Sequence, residues 1–104
     1  MIDIMVMYPN RNEMKFDESY YFNHHAPLVA SLLRDYGLMY IQVAKGIERD
    51  SPFFLVTHLG FEDEKEFNKA IDDVGSQIFE DIPRFTNVEP LIQLGKLMVN
   101  NHMP

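Results

Sequence analysis

The sequence contains no cysteine. That absence excludes disulfides, thiolate catalysis and cysteine-based zinc sites, while leaving the compartment open. Serine is scarce too: Ser19, Ser31, Ser51 and Ser76 are the whole set, and none stands in a hydrolase context. There is no glycine-rich phosphate loop and no dinucleotide fingerprint. No stretch of 18 apolar residues suggests a membrane span, and MIDIMVMYPN is too short and lacks the basic start of a signal peptide. Positive charge is also in short supply, nine Lys and Arg against sixteen Asp and Glu, a net charge of −7. Nothing of that sign would displace counterions from phosphates, so neither nucleic acid nor an anionic membrane is an expected partner. A cytoplasmic protein is the expectation.

The 104 residues are 46% hydrophobic and 24% charged, which suits one globular domain over residues 1–104. Ile2 to Tyr8 alternates as a strand, and Pro9 to Asn12 ends it. Asp17 reads as a helix N-cap, with Phe16 and Tyr21 as a hydrophobic staple. The helix it opens runs to Gly37, a natural stop. Pro27 interrupts it. The ring removes a backbone donor, crowds the Asn23 carbonyl and pushes Ala26 from helical dihedrals, so a kink or break is expected over residues 23–27. Leu38 to Ile47 and Phe53 to Phe61 read as the next two strands. A capping box at Asp63 and Glu66 opens a second helix, whose stripe is Phe67, Ala70, Ile71, Val74 and Ile78. It stops near Asp81-Ile82, ahead of Pro83, and Glu89 to Val99 forms a last strand.

The order β-α-β-β-α-β is that of an α+β, ferredoxin-like fold: four antiparallel strands with both helices on one face. Two helices cover only that face. The other carries large apolar residues in either register, Met5 and Met7 on the first strand and Phe54 and Val56 on the third. An exposed patch of that kind favours pairing of two sheets in a homodimer that encloses a cavity.

At about 100° per residue, His25 lies within roughly 40° of Tyr21, Leu32 and Tyr36 on the inward stripe of the first helix. One reading is a general base or hydrogen-bond partner working near neutral pH. The plain alternative is a core histidine bonded to a backbone carbonyl that Pro27 has freed. His24, one residue away, faces elsewhere, and adjacent helical histidines do not share a metal. With no H-E-x-x-H and no facial triad, neither metal nor cofactor is expected. His58 shares a register with Phe54 and Val56, as a packing residue or a second proton carrier. Tyr8, Tyr21, Tyr40, Gln42 and Gln93 resemble the few convergent polar groups of a small-molecule pocket, although packing and solvent exposure explain them as well. Seven methionines suit either an adaptable core or a permissive apolar pocket. The acidic runs Glu62 to Glu64 and Asp72-Asp73 read as solvated helix surface.

Several segments resemble the EthD family of dimeric α+β-barrel proteins. They are Tyr8-Pro9-Asn10, the stretch Tyr20 to Val29 with Asn23, His25, Pro27 and Leu28 as its N-x-H-x-P-L core, the His58 strand, Asp81-Ile82-Pro83 with Thr86, and Glu89-Pro90. The resemblance implies a ferredoxin-like protomer, a dimeric barrel and one hydrophobic cavity per subunit. The family takes its name from an accessory protein of alkyl ether degradation. Similar barrels include methylmuconolactone isomerases, polyketide dehydratases and cyclases, and cofactor-free monooxygenases. The expectation is a cofactor-independent isomerase, dehydratase, cyclase or monooxygenase on an apolar aromatic or lactone-like metabolite. His25 and His58 would carry protons, with Tyr8, Tyr21, Asn23, Tyr40 and Gln93 against the ligand. The alternative is a non-catalytic binding or accessory protein.

Overall fold

In the computed structural model, which describes residues 1–103, the chain begins with strand β1 (Ile2–Pro9). One continuous helical stretch follows: α1 (Glu18–Tyr20), a π-helical turn (Tyr21–His25) and α2 (Ala26–Arg34). Strands β2 (Tyr40–Lys45) and β3 (Phe53–Phe61) lead into helix α3 (Glu64–Asp81), a 3-10 turn (Ile82–Arg84) and strand β4 (Leu91–Lys96). The sheet is antiparallel throughout, in the order β2-β3-β1-β4. This is the expected ferredoxin-like arrangement. Its core joins Ile4, Leu59 and Phe61 of the sheet to Val29 and Leu33 of α2 and to Phe67, Ala70 and Ile78 of α3.

The local signals explain most boundaries. The Asp17 carboxylate accepts from the Tyr20 N–H at 3.0 Å, and Asp63 accepts from the Glu66 N–H at 3.0 Å. The Phe16 and Tyr21 rings sit 5.5 Å apart. Gly37 takes φ +98°, a left-handed conformation in which a Cβ would also run into the Glu66 carboxylate. Two strands are shorter than their sequence patterns. The Leu38 N–H turns back to the Leu33 carbonyl, which delays β2, and Pro90 has no donor for the start of β4.

Pro27 does not break the helix. The wider π turn before it sends the Ala26 N–H to the Tyr21 carbonyl, five residues back, and Ala26 keeps helical dihedrals of −60° and −43°. The extra residue relieves the crowding that a proline ring imposes on the carbonyl four residues earlier.

The uncovered face of the sheet also departs from expectation. Register places Tyr40, Gly60, Asp3 and Gly95 in one row across the strands, then Gln42, His58, Met5 and Gln93, then Ala44, Val56, Met7 and Leu91. Met5, Met7 and Val56 do lie on this side, but partly buried, and two of the three rows are largely polar. Phe54, past the register shift at the end of β1, instead packs its ring against Phe16 of the helix-side aromatic cluster, with centroids 4.9 Å apart. The well-exposed large hydrophobics of the sheet are instead on edge strand β4: Leu91, Ile92 and Leu94.

Candidate functional site

Asp81 closes the apolar stripe of α3, three residues beyond Ile78, so its carboxylate points inward and is itself buried. His25 closes the π turn and faces it. The His25 Nδ1 lies 2.8 Å from Asp81 Oδ2, and the Tyr20 hydroxyl donates to Asp81 Oδ1 at 2.7 Å. Arg84, mostly in solvent, brings its Nε to 3.8 Å from the same Oδ1. The Phe85 ring covers the imidazole, with centroids 4.5 Å apart, and His25 is only 3% exposed.

Burial dominates the imidazole and lowers its pKa below the ordinary value, against the opposing pull of the Asp81 carboxylate. Burial pushes Asp81 upward, but the hydrogen bonds from Tyr20 and His25 outweigh it and hold the acid ionised below its usual range. Near neutral pH the pair is therefore a carboxylate and a neutral imidazole. Nδ1 carries the proton toward Asp81, which leaves Nε2 as the basic nitrogen. Nε2 has no hydrogen-bond partner among the described residues and keeps some accessible surface.

His25 lines an apolar chamber between the helices and the sheet, with Tyr8, Tyr21, Thr57, Val6, Ile41 and Ile71 among its walls. The Tyr21 hydroxyl and Thr57 Oγ1 are hydrogen-bonded to each other. Burial raises the pKa values of Tyr8 and Tyr21, so both phenols stay protonated. The chamber holds only about 50 Å³. Beside it, between the end of α3 and the start of β4, lies an open groove of about 440 Å³, and Phe79, Ile82 and Ile92 line both spaces.

A second cluster occupies the opposite face of the sheet. His58 Nδ1 is 2.8 Å from Asp3 Oδ2, and the Tyr40 hydroxyl donates to Asp3 Oδ1 at 2.5 Å. Asp3 and His58 are diagonal neighbours across β1 and β3. Tyr40 reaches Asp3 from β2 by lying over Gly60, where a Cβ would collide with its ring.

The residues expected at one site therefore separate. Tyr8, Tyr21 and His25 share the helix-side chamber. His58 and Tyr40 belong to the open face, and Gln93 is exposed there. The sheet stands between the two histidines, so a joint action on one ligand is corrected by topology. Asn23 is exposed, and its amide donates to Ser19 Oγ at 3.2 Å. His25 bonds a carboxylate, not the freed backbone carbonyl of the plain reading. The sequence reading missed both orienting carboxylates, Asp81 and Asp3, together with Tyr20 and Thr57. Asp81 was discoverable, since it continues the stripe through Val74 and Ile78. Asp3 was not, because its partners come from strand register. Among the described residues no three His, Asp or Glu side chains gather to hold a metal ion.

No family model and no curated protein matches the chain. Solved structures do. An EthD-like protein from Ralstonia eutropha JMP134 is 28% identical with a TM-score of 0.84, covering 96% of this chain and 94% of that one. Over nearly its whole length this chain resembles that EthD-like protein. An ethyl tert-butyl ether D (EthD) family protein from Bacillus halodurans C-125 shares the fold with this chain at 23% identity and a TM-score of 0.71, covering 94% and 99%. A dimeric ferredoxin-like protein from an uncultured marine organism shares it at 10% identity and 0.65, covering 98% of each. No helix of this chain, among the described residues, is long and apolar enough to cross a membrane.

Proposed function

We propose that this EthD-like chain is a cofactor-independent enzyme that binds a small apolar molecule, aromatic or lactone-like, and moves a proton on it with His25. The observation that carries this reading is the neutral imidazole clamped through Nδ1 by a buried carboxylate, with Nε2 unpartnered, beside an apolar chamber. Nε2 takes a proton from an acidic C–H or O–H of the ligand. The imidazolium so formed is stabilised by Asp81 at 2.8 Å. The protonated phenols of Tyr8 and Tyr21 supply donors to a ligand oxygen on which charge develops. Returning the same proton to a neighbouring atom completes an isomerisation; returning it to a leaving hydroxyl completes a dehydration.

The working unit is a cytoplasmic homodimer, its sheets paired through the uncovered face, with one chamber in each protomer. The dimeric ferredoxin-like neighbour and the apolar row Ala44, Val56, Met7 and Leu91 support that assembly. A single-chain mass at micromolar concentration in sedimentation would remove the dimer. His25→Ala tests the chemistry: lost turnover with ligand binding retained supports the enzyme. Unchanged turnover sinks it. A second reading, an accessory protein that holds the compound for a partner oxygenase, is favoured by the small chamber, which admits only part of a ligand. Binding without turnover in both wild type and His25→Ala selects it.

A further inference from the structure

The volumes of the two adjoining spaces constrain what the protein can hold. At about 50 Å³ the chamber has room for roughly four water-sized groups, so no ring system fits inside it whole. The neighbouring groove, at about 440 Å³, lies within the range of sites that hold entire small molecules. Phe79, Ile82 and Ile92 line both, and Phe79 and Ile92 are 42% and 44% exposed. Exposed aromatic and branched residues flanking a concave site are the opposite of what a solvated helix end and edge strand need.

The backbone beneath Phe79 fits this role. Gly75 lies one turn earlier in the middle of α3, where glycine is a poorer helix former than alanine. A Cβ there would press Ile71 at 3.0 Å and touch the Phe79 ring at 3.5 Å. The Phe79 ring thus lies over the bare turn at Gly75, beside the opening.

The polar character of the groove is just as restrictive. Thr86 Oγ1 is spent on the Lys15 carbonyl and the Val88 N–H, and the Asn87 side chain on Lys15 N–H and the Glu13 carbonyl. Glu89 is the one ionisable side chain lining it, in a protein of net charge −7. An anionic body would meet a carboxylate and no lysine or arginine side chain in that lining.

We propose that the groove is the body-binding half of the His25 site and Phe79, Ile82 and Ile92 are its specificity residues. The ligand is a flat or elongated neutral molecule that passes a narrow terminal group between them to His25 and leaves its larger apolar part outside the chamber. This rests on the function proposed above. The test follows the His25 imidazole signals by NMR while 2-naphthol, or the anionic naphthalene-2-sulfonate, is added to the full chain. The expected result is that 2-naphthol moves the His25 signals and the sulfonate binds at least tenfold more weakly. Ile92→Trp, which fills the mouth, weakens 2-naphthol at least tenfold while leaving thermal unfolding near wild type; Phe79→Trp gives a second plug if that variant is unstable. Unchanged affinity in both folded variants, with His25 still responding, overturns the groove but leaves the chamber reading standing. Shifts at Phe79 and Ile92 that never reach His25 overturn the chamber reading itself. Equal binding of the two compounds overturns the charge rule, and no binding of 2-naphthol overturns the ligand class.

Discussion

On either side of one sheet the protein builds the same trio, a carboxylate holding a histidine Nδ1 on one oxygen and a tyrosine hydroxyl on the other. His25, Asp81 and Tyr20 form it on the helix side; His58, Asp3 and Tyr40 form it on the open side. The bonds to the imidazoles are both 2.8 Å. What differs is water. The inner imidazole is buried under Phe85, whereas a third of the His58 side chain is exposed. The same hydrogen bonds thus serve different ends. Inside, burial prepares a neutral base in an apolar space; outside, the carboxylate ties three strands together, and burial followed by the Asp3 bond pushes the Tyr40 phenol up to about 12.

Removing each carboxylate should separate the two trios most widely. Asp81→Ala strands a buried imidazole N–H and the Tyr20 hydroxyl, at a cost of about 3 kcal/mol. Asp3→Ala, whose partners can turn to water, costs about 1 kcal/mol. Paired thermal or urea melts measure both, and equal losses would erase the distinction.

Acid should act on the inner trio in two steps. The folded pKa of His25 is below 6.5, so its contribution to stability is complete above that value. It is lost as pH falls further, because the unfolded chain takes up the proton first. Asp81, held below 3.8, adds a second loss of the same sign at lower pH. His25→Gln abolishes the upper step in urea titrations run across this range, and His58→Gln leaves that step in place.

Gly60→Ala sharpens the contrast from the other side. Its methyl displaces the Tyr40 ring and breaks the bond to Asp3, costing about 1 kcal/mol, while the His25 signals stay where they are. The smallest effect is Tyr20→Phe. Without its hydroxyl the Asp81 charge falls more fully on the imidazole, so the His25 pKa rises, as NMR titration would read directly.

How much of this was legible in the residues follows from the range of the interactions involved. Caps, staples and stripes act within one turn, so Asp17, Asp63 and Gly37 marked the helices correctly, and β-α-β-β-α-β fixed the layers. The inward aim of His25 was readable for the same reason. Its partner lies 56 residues away and becomes visible only if the α3 stripe is extended by one step. The union of His25 with His58 failed because alternation places residues on two faces of a strand without saying which face the helices cover. Pro27 misled in the other direction, since the rule for prolines in helices takes no account of a turn one residue wider.

That turn has a mechanical consequence. Tyr21 to His25 contain one residue more than an ordinary helix would use, anchored upstream by the Asp17 cap and downstream by Val29 and Leu33 in the core. The wider turn therefore fixes the register of the imidazole between those two anchors. Tightening it by one residue slides the imidazole about 1.5 Å along the helix axis, more than half of the 2.8 Å that joins it to Asp81. The width of a five-residue spiral thus sets where along the axis the imidazole stands against its carboxylate.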